Sequence, residues 1–121
     1  MMTVLIVEDN AEMRRLLKSI VRDLVESAYE CSDGAEALAA YSAHHLDGAD
    51  WVLMDIEMKT MDGITATQQI LAVHPAAKVI IVTNHDHAEW RAAAQAAGAS
   101  GYVLKENLFE LRGLLQPATA D

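Results

Sequence analysis

Five residues scattered along the chain could serve one piece of chemistry. Glu8, Asp9 and Asp55 offer carboxylates, Thr83 a hydroxyl and Lys105 an ammonium group, and each stands at the end of a short β-like apolar run. The runs are Val4-Leu5-Ile6-Val7, Trp51-Val52-Leu53-Met54, Val79-Ile80-Ile81-Val82 and Gly101-Tyr102-Val103-Leu104. In a parallel sheet the carboxyl ends of the strands share one edge, and ligands bind in the crevice there. The pattern therefore predicts a single site holding all five groups. Clustered carboxylates repel one another unless a proton or cation neutralises them, and oxygen donors without paired His or Cys favour Mg2+ over zinc or copper. A metal held by Glu8, Asp9 and Asp55 keeps open positions for water and phosphoryl oxygens. Asp55 can then act as a carboxylate nucleophile toward phosphorus, with Lys105 and Thr83 gripping other phosphoryl oxygens. Taken singly, each residue reads more simply as a cap or a solvated charge. Their shared placement at strand ends is what argues for a site.

The elements that must position these groups alternate as a doubly wound α/β sheet requires. Asn10 can cap a helix over about 11–25, with Met13, Leu16, Leu17, Ile20 and Leu24 inward and Arg14, Arg15, Lys18 and Arg22 outside. A short strand over 28–31 follows. A helix opened by Asp33-Gly34 turns Ala37, Leu38 and Tyr41 inward and ends near His44-His45, and 46–50 reads as loop. The third helix, about 64–73, stops before Pro75. A fourth, about 88–97, has Gly98 as its C-cap, and a fifth, about 108–115, is ended by Pro117. The expected fold is a doubly wound (βα)5 sandwich around a five-stranded parallel sheet.

The segments Val7-Glu8-Asp9-Asn10, Val52-Leu53-Met54-Asp55 with Met61-Asp62-Gly63, Ile81-Val82-Thr83 and Gly98 to Lys105 together resemble the receiver domain of two-component response regulators. The resemblance covers essentially the whole chain, 1–121, as one domain, and implies a flavodoxin-like sheet with strand order 2-1-3-4-5. It implies that Asp55 accepts a phosphoryl group from a sensor histidine kinase or phosphotransfer protein and slowly loses it again. It also implies that Asp9 and Asp55 bind Mg2+ directly, that Glu8 acts through water, and that the backbone carbonyl of Glu57 completes the protein ligands. By the same likeness Thr83 and Tyr102 shift on phosphorylation, Lys105 contacts the phosphoryl group, and the face made by the fourth helix, fifth strand and fifth helix carries the output. The stretches around Thr83-Asn84-His85-Asp86 and Gly98 to Lys105 look like the NarL/FixJ type, which usually precedes a DNA-binding helix-turn-helix and so brings transcription regulation into view. Residues 117–121 could begin a linker or close a stand-alone receiver, and both readings stay open. Two positions depart from the family pattern. Lys59 replaces the usual proline, which implies a looser loop or a positive charge near the site, and Asn84 replaces a small residue at the mouth.

Length and composition agree with one domain. The chain has 121 residues, of which 52% are hydrophobic, enough for a real core. A formal charge of −9 disfavours direct nucleic-acid binding, which needs a basic face. One cysteine, Cys31, excludes an intrachain disulfide and reads as a small buried apolar residue. Neither a signal peptide nor a long apolar span is evident, so a cytoplasmic protein without a membrane partner is expected.

Three rival readings compete with this one. A haloacid dehalogenase-type phosphatase needs a second aspartate two residues after the nucleophile, where this chain has Glu57, and a cap domain. A flavodoxin-like electron carrier needs a Ser/Thr/Gly-rich phosphate loop where Glu8-Asp9-Asn10 stands. A degenerate receiver acting as a constitutive interaction module is opposed by the complete set of five groups. The histidines read as solvated, with His85 the exception because it lies two residues after Thr83. Glu57 and His85 should border the path of attacking water and set the lifetime of the phosphorylated state. Trp51, which begins the Asp55 strand, is expected to report Mg2+ binding by its fluorescence. Leu114 and Phe109 should be partly exposed and offer a homodimer or partner contact on the output face.

Overall fold

A computed structural model describes residues 2–116. In chain order they form β1 (Thr3–Val7), α1 (Ala11–Val21), β2 (Ser27–Cys31), α2 (Ala37–Ala43), β3 (Trp51–Met54), α3 (Gly63–Val73), β4 (Lys78–Thr83), α4 (Ala88–Ala96), β5 (Gly101–Leu104) and α5 (Glu110–Leu115). All strand pairs are parallel and the order is β2-β1-β3-β4-β5, as expected. Alternation along the strands divides the core in two. Leu5, Val7, Val52, Met54, Val79 and Ile81 face α2, α3 and α4, packing with Ala37, Tyr41, Ile70 and Ala94. Val4, Ile6, Leu53, Ile80, Val82 and Val103 face α1 and α5, packing with Leu17, Val21, Leu111 and Leu115. Both faces are therefore covered, and the polar strand ends have only the carboxyl edge left to them.

Several element ends differ from the sequence expectation for local reasons. The first helix stops at Val21 and tightens into a 3-10 turn over Arg22–Leu24, where Arg112 of α5 grips Asp23 through two bonds of 2.6 and 2.9 Å. Leu16 is not on the inward stripe: it is 46% exposed. Similar 3-10 turns precede α2 and follow β5, so α2 begins at Ala37 and α5 at Glu110. Leu46, placed in a loop, is buried against the α2 side of the core. Asn10 caps α1 by accepting from Met13 N at 2.8 Å, as expected. His44 ends α2 and stacks on Tyr29, and His74 meets the Ser42 hydroxyl at 2.9 Å. Gly98 takes a left-handed φ of 97° just past α4, the C-cap geometry only glycine adopts cheaply. The stop assigned to Pro117 lies outside the described residues.

Candidate functional site

Parallel register brings the predicted groups together. Val7 pairs with Met54 and Met54 with Ile81, so Glu8, Asp55 and the end of β4 emerge side by side. Glu8 and Asp55 are buried, at 1% and 5% exposure, and so is Thr83, at 1%. One oxygen from each of Glu8, Asp9 and Asp55 falls within 4.8 Å of the others. Lys105 Nζ sits 2.9 Å from Glu8 Oε1 and 3.4 Å from Asp55 Oδ1. Glu8, Asp9, Asp55, Thr83 and Lys105 line one cleft of about 380 Å³, with Glu57, Asn84 and His85 at its mouth.

Backbone contacts hold this arrangement. Asp55 N–H donates to Val7 O at 2.9 Å and Ile56 N–H to Asp55 Oδ1 at 2.9 Å, while Asn10 N–H donates to Glu8 Oε2 at 3.1 Å. Arg14, expected only on an outer helix face, reaches back to the Glu8 and Asp9 carbonyls at 2.7 and 3.3 Å and fixes the turn that presents both carboxylates. In the loop that carries Lys59, Asp33 acts as an anchor, its carboxylate accepting from Thr60 N at 2.8 Å and Met61 N at 3.1 Å. Gly63 completes the fit, because a Cβ there would lie 1.8 Å from the Asp55 carbonyl oxygen. Asp33 and Arg14 carried no signal in the sequence beyond an Asp-Gly turn and a helical arginine.

Burial works against the negative charges of Glu8 and Asp55. Burial lifts Glu8 to about 7, against the pull of Lys105 and the Asn10 amide, and the neighbouring Asp55 adds to the rise. Asp55 is likewise raised by burial, with Lys105 opposing. Burial would lower Lys105, but its contacts with Glu8 and Asp55 outweigh that and hold its ammonium above the usual range. One cation thus serves two buried carboxylates and leaves the cluster short of positive charge. Glu8 Oε1 is fully buried beside Lys105 Nζ, 2.9 Å away. Three carboxylates beside one ammonium, with no His or Cys among the donors, suit a hydrated, oxygen-seeking divalent cation, so the donor set fits Mg2+.

Over residues 4–116 the sequence matches the response regulator receiver domain. The chain belongs to this family. Receivers bind Mg2+ at an acidic pocket of this composition. The chain is 38% identical to the chemotaxis protein CheY of Halobacterium salinarum over 102 residues, covering 84% of the chain and 82% of that protein. It is 31% identical to the transcriptional regulatory protein DegU of Brevibacillus brevis, covering 85% of the chain and 43% of DegU. In structure this receiver superposes on Vibrio cholerae CheY4 with a TM-score of 0.85 at 24% identity, covering 96% and 97% of the two chains. A LuxR-family regulator of Aurantimonas gives 0.82 at 30% identity, covering 92% and 79%. CheY in a CheX-CheY-BeF3-Mg+2 complex from Borrelia burgdorferi gives 0.80 at 25%, covering 93% and 84%. Both CheY and LuxR-type receivers are thus neighbours, and the NarL/FixJ branch is not singled out. Among the described residues no helix is long and apolar enough to cross a membrane.

Around the cleft mouth the structure joins residues the sequence left apart. The His85 ring meets the Glu57 carboxylate, 28 positions away, and stacks on Trp90 at 4.9 Å between ring centres. His85 is therefore half-buried rather than solvated. Trp51 stands at the opposite edge of the sheet under Lys78 Nζ, 4.2 Å from its ring, so Trp90 is the tryptophan beside the site. Tyr102 donates its hydroxyl to His85 O at 2.6 Å.

Proposed function

We propose that this receiver is a phosphorylation-dependent switch that takes a phosphoryl group on Asp55 from a phosphohistidine of a sensor kinase or phosphotransfer protein. The observation that supports it best is Lys105 Nζ, poised between Asp55 and Glu8 inside a three-carboxylate cleft. An Asp55 carboxylate oxygen attacks phosphorus in line. The P–N bond to imidazole breaks as the O–P bond forms, and water later hydrolyses the acyl phosphate to restore the carboxylate and release inorganic phosphate. Asp9, Asp55, the Glu57 carbonyl and, through water, Glu8 would hold Mg2+. When bound, the metal neutralises charge on the transferring phosphoryl oxygens. Lys105 grips one of those oxygens and Thr83 another, and movement of Thr83 is read by Tyr102 on the face made by α4, β5 and α5. The relatives' names span chemotaxis and transcription. A charge of −9 favours a protein as the direct partner of this chain, with DNA contacted only through another domain.

The test is acid-labile labelling by a small phosphodonor or a phosphorylated kinase domain, with and without Mg2+. The parent labels only with the metal, and Asp55→Asn abolishes the label while leaving the circular dichroism spectrum unchanged. Label persisting on Asp55→Asn would move the acceptor elsewhere.

A further inference from the structure

His85 is gripped from four sides. Its N–H donates to Thr83 Oγ1 at 3.2 Å and its carbonyl accepts from the Tyr102 hydroxyl at 2.6 Å, while its ring meets Glu57 and Trp90. Tyr102 is gripped in turn. The Arg91 guanidinium carbon lies 4.6 Å from the centre of the tyrosine ring. That guanidinium is aimed by Asp86, whose Oδ1 accepts from Nε at 3.0 Å and Nη2 at 2.7 Å. Asp86 belongs to the same loop as His85, and Arg91 to the first turns of α4. Loop, helix and strand are therefore closed into one ring of contacts.

The physical consequence runs back to the cleft. A guanidinium over a phenol face is attracted by the ring quadrupole. Moving the Tyr102 ring out from under Arg91 gives up that contact, and its hydroxyl then loses the His85 carbonyl. Since Thr83 Oγ1 accepts from His85 N–H, its single hydrogen is left free to donate within the cleft it shares with Asp55. Tyr102 thus reaches Thr83 through one residue. We propose that Arg91, held by Asp86, is a positioning residue that locks Tyr102 onto the His85 carbonyl and so keeps the Thr83 hydroxyl aligned before Asp55 is modified. This rests on reading Asp55 as the phosphoryl acceptor. The switch tyrosine then starts engaged with the loop, and a ligand at Asp55 binds the locked form more tightly than the unlocked one. The Arg91 and Asp86 side chains are 45% and 63% exposed, so their ion pair adds little by itself and serves mainly to aim the guanidinium.

The experiment is a beryllofluoride and Mg2+ titration of the full chain, followed by amide and aromatic NMR. Arg91→Ala should shift the Tyr102 ring resonances of the unliganded protein and weaken beryllofluoride binding about two- to fivefold, the size of one exposed cation–π contact. Arg91→Lys should recover part of the loss. In a Tyr102→Ala background, Arg91→Ala should have no further effect. Unmoved Tyr102 resonances, or the same loss with and without the Tyr102 ring, would overturn the lock. Failure of the parent to bind beryllofluoride would instead count against Asp55 as acceptor, and the unliganded Tyr102 shifts would still decide the lock.

Discussion

Glu8 is the residue whose environment most constrains the chemistry. Its carboxyl, ordinarily near 4.5, is lifted to about 7 by burial. In the metal-free protein the folded state therefore holds the Glu8 proton more firmly than the unfolded chain does. That contribution to stability is fully present below 4.5 and is lost as pH rises to about 7. A divalent cation must displace the same proton. Mg2+ should consequently bind more tightly, and raise the Tm more, one pH unit above about 7 than one unit below, with Glu8→Gln flattening the difference. Calorimetric titration and thermal unfolding at the two pH values read both effects, and Trp90 emission provides an optical signal. An Mg2+ response independent of pH would remove Glu8 from the metal's surroundings. Glu57 and His85 call for a different measurement. Because their side chains touch, Glu57→Ala and His85→Ala should each change the lifetime of phospho-Asp55 severalfold, and the double substitution should fall short of the sum. Decay of the label in the four proteins checks it, and unchanged rates would make the pair bystanders.

At the scale of elements, the α3 entry is the least forgiving part of the fold. Asp62 caps the helix by accepting from Thr65 N at 2.9 Å, and Gly63 N–H donates to Ile56 O at 2.9 Å. This draws the helix backbone against Asp55. A methyl group at Gly63 would lie 1.8 Å from the Asp55 carbonyl oxygen and 2.9 Å from Met54 Cγ, so the helix must move away. Gly63→Ala should cost about 1–3 kcal/mol of stability, as overpacking does elsewhere, and slow labelling of Asp55 in the fraction that remains folded. Urea unfolding supplies the first number. Stability equal to the parent would mean that α3 can retreat without cost. Helix α4 behaves in the opposite way. It packs through Trp90, Ala93, Ala94 and Ala97, and only Ala94 and Ala97 of these are buried. Small contacts bury little area at about 25 cal/mol per Å², which leaves α4 the helix most easily displaced by events at Thr83.

Among the described residues, the exposed large apolar side chains are Leu16 on α1, Tyr29 on β2, Val73 at the end of α3, Phe109 just before α5 and Leu114 within it. Leu108, Leu111 and Leu115 are buried as their spacing implies, whereas Phe109 is 76% and Leu114 41% exposed. We expect this side of the α4-β5-α5 face to form a symmetric contact with a second copy, tightened by modification of Asp55. Sedimentation with and without beryllofluoride and Mg2+ should show an activated dimer, and Phe109→Asp should return it to monomer. An activated protein that stays monomeric would leave only a heterologous partner for this face.

The gathering of the cleft residues was legible in the sequence because a parallel sheet has one carboxyl edge. A polar residue closing each apolar run must arrive there, whatever the details of the loops. The Asn10 cap, the Gly98 stop and the inward leucines of α5 were legible because period, capping chemistry and backbone sterics act within a few residues, whereas the strand order came with the family resemblance. Tertiary structure decided what depends on distances across the chain. Asp33 anchors a loop 27 positions away, Arg112 grips Asp23 89 positions away and so sits against the end of α1, and Glu57 meets His85 over 28. Leu16 lies on a helical stripe by spacing yet faces outward. Trp51 begins the correct strand at the edge away from the site. In each case two segments must first be brought together by the sheet, and only then do packing and charge choose between side chains that local pattern cannot tell apart.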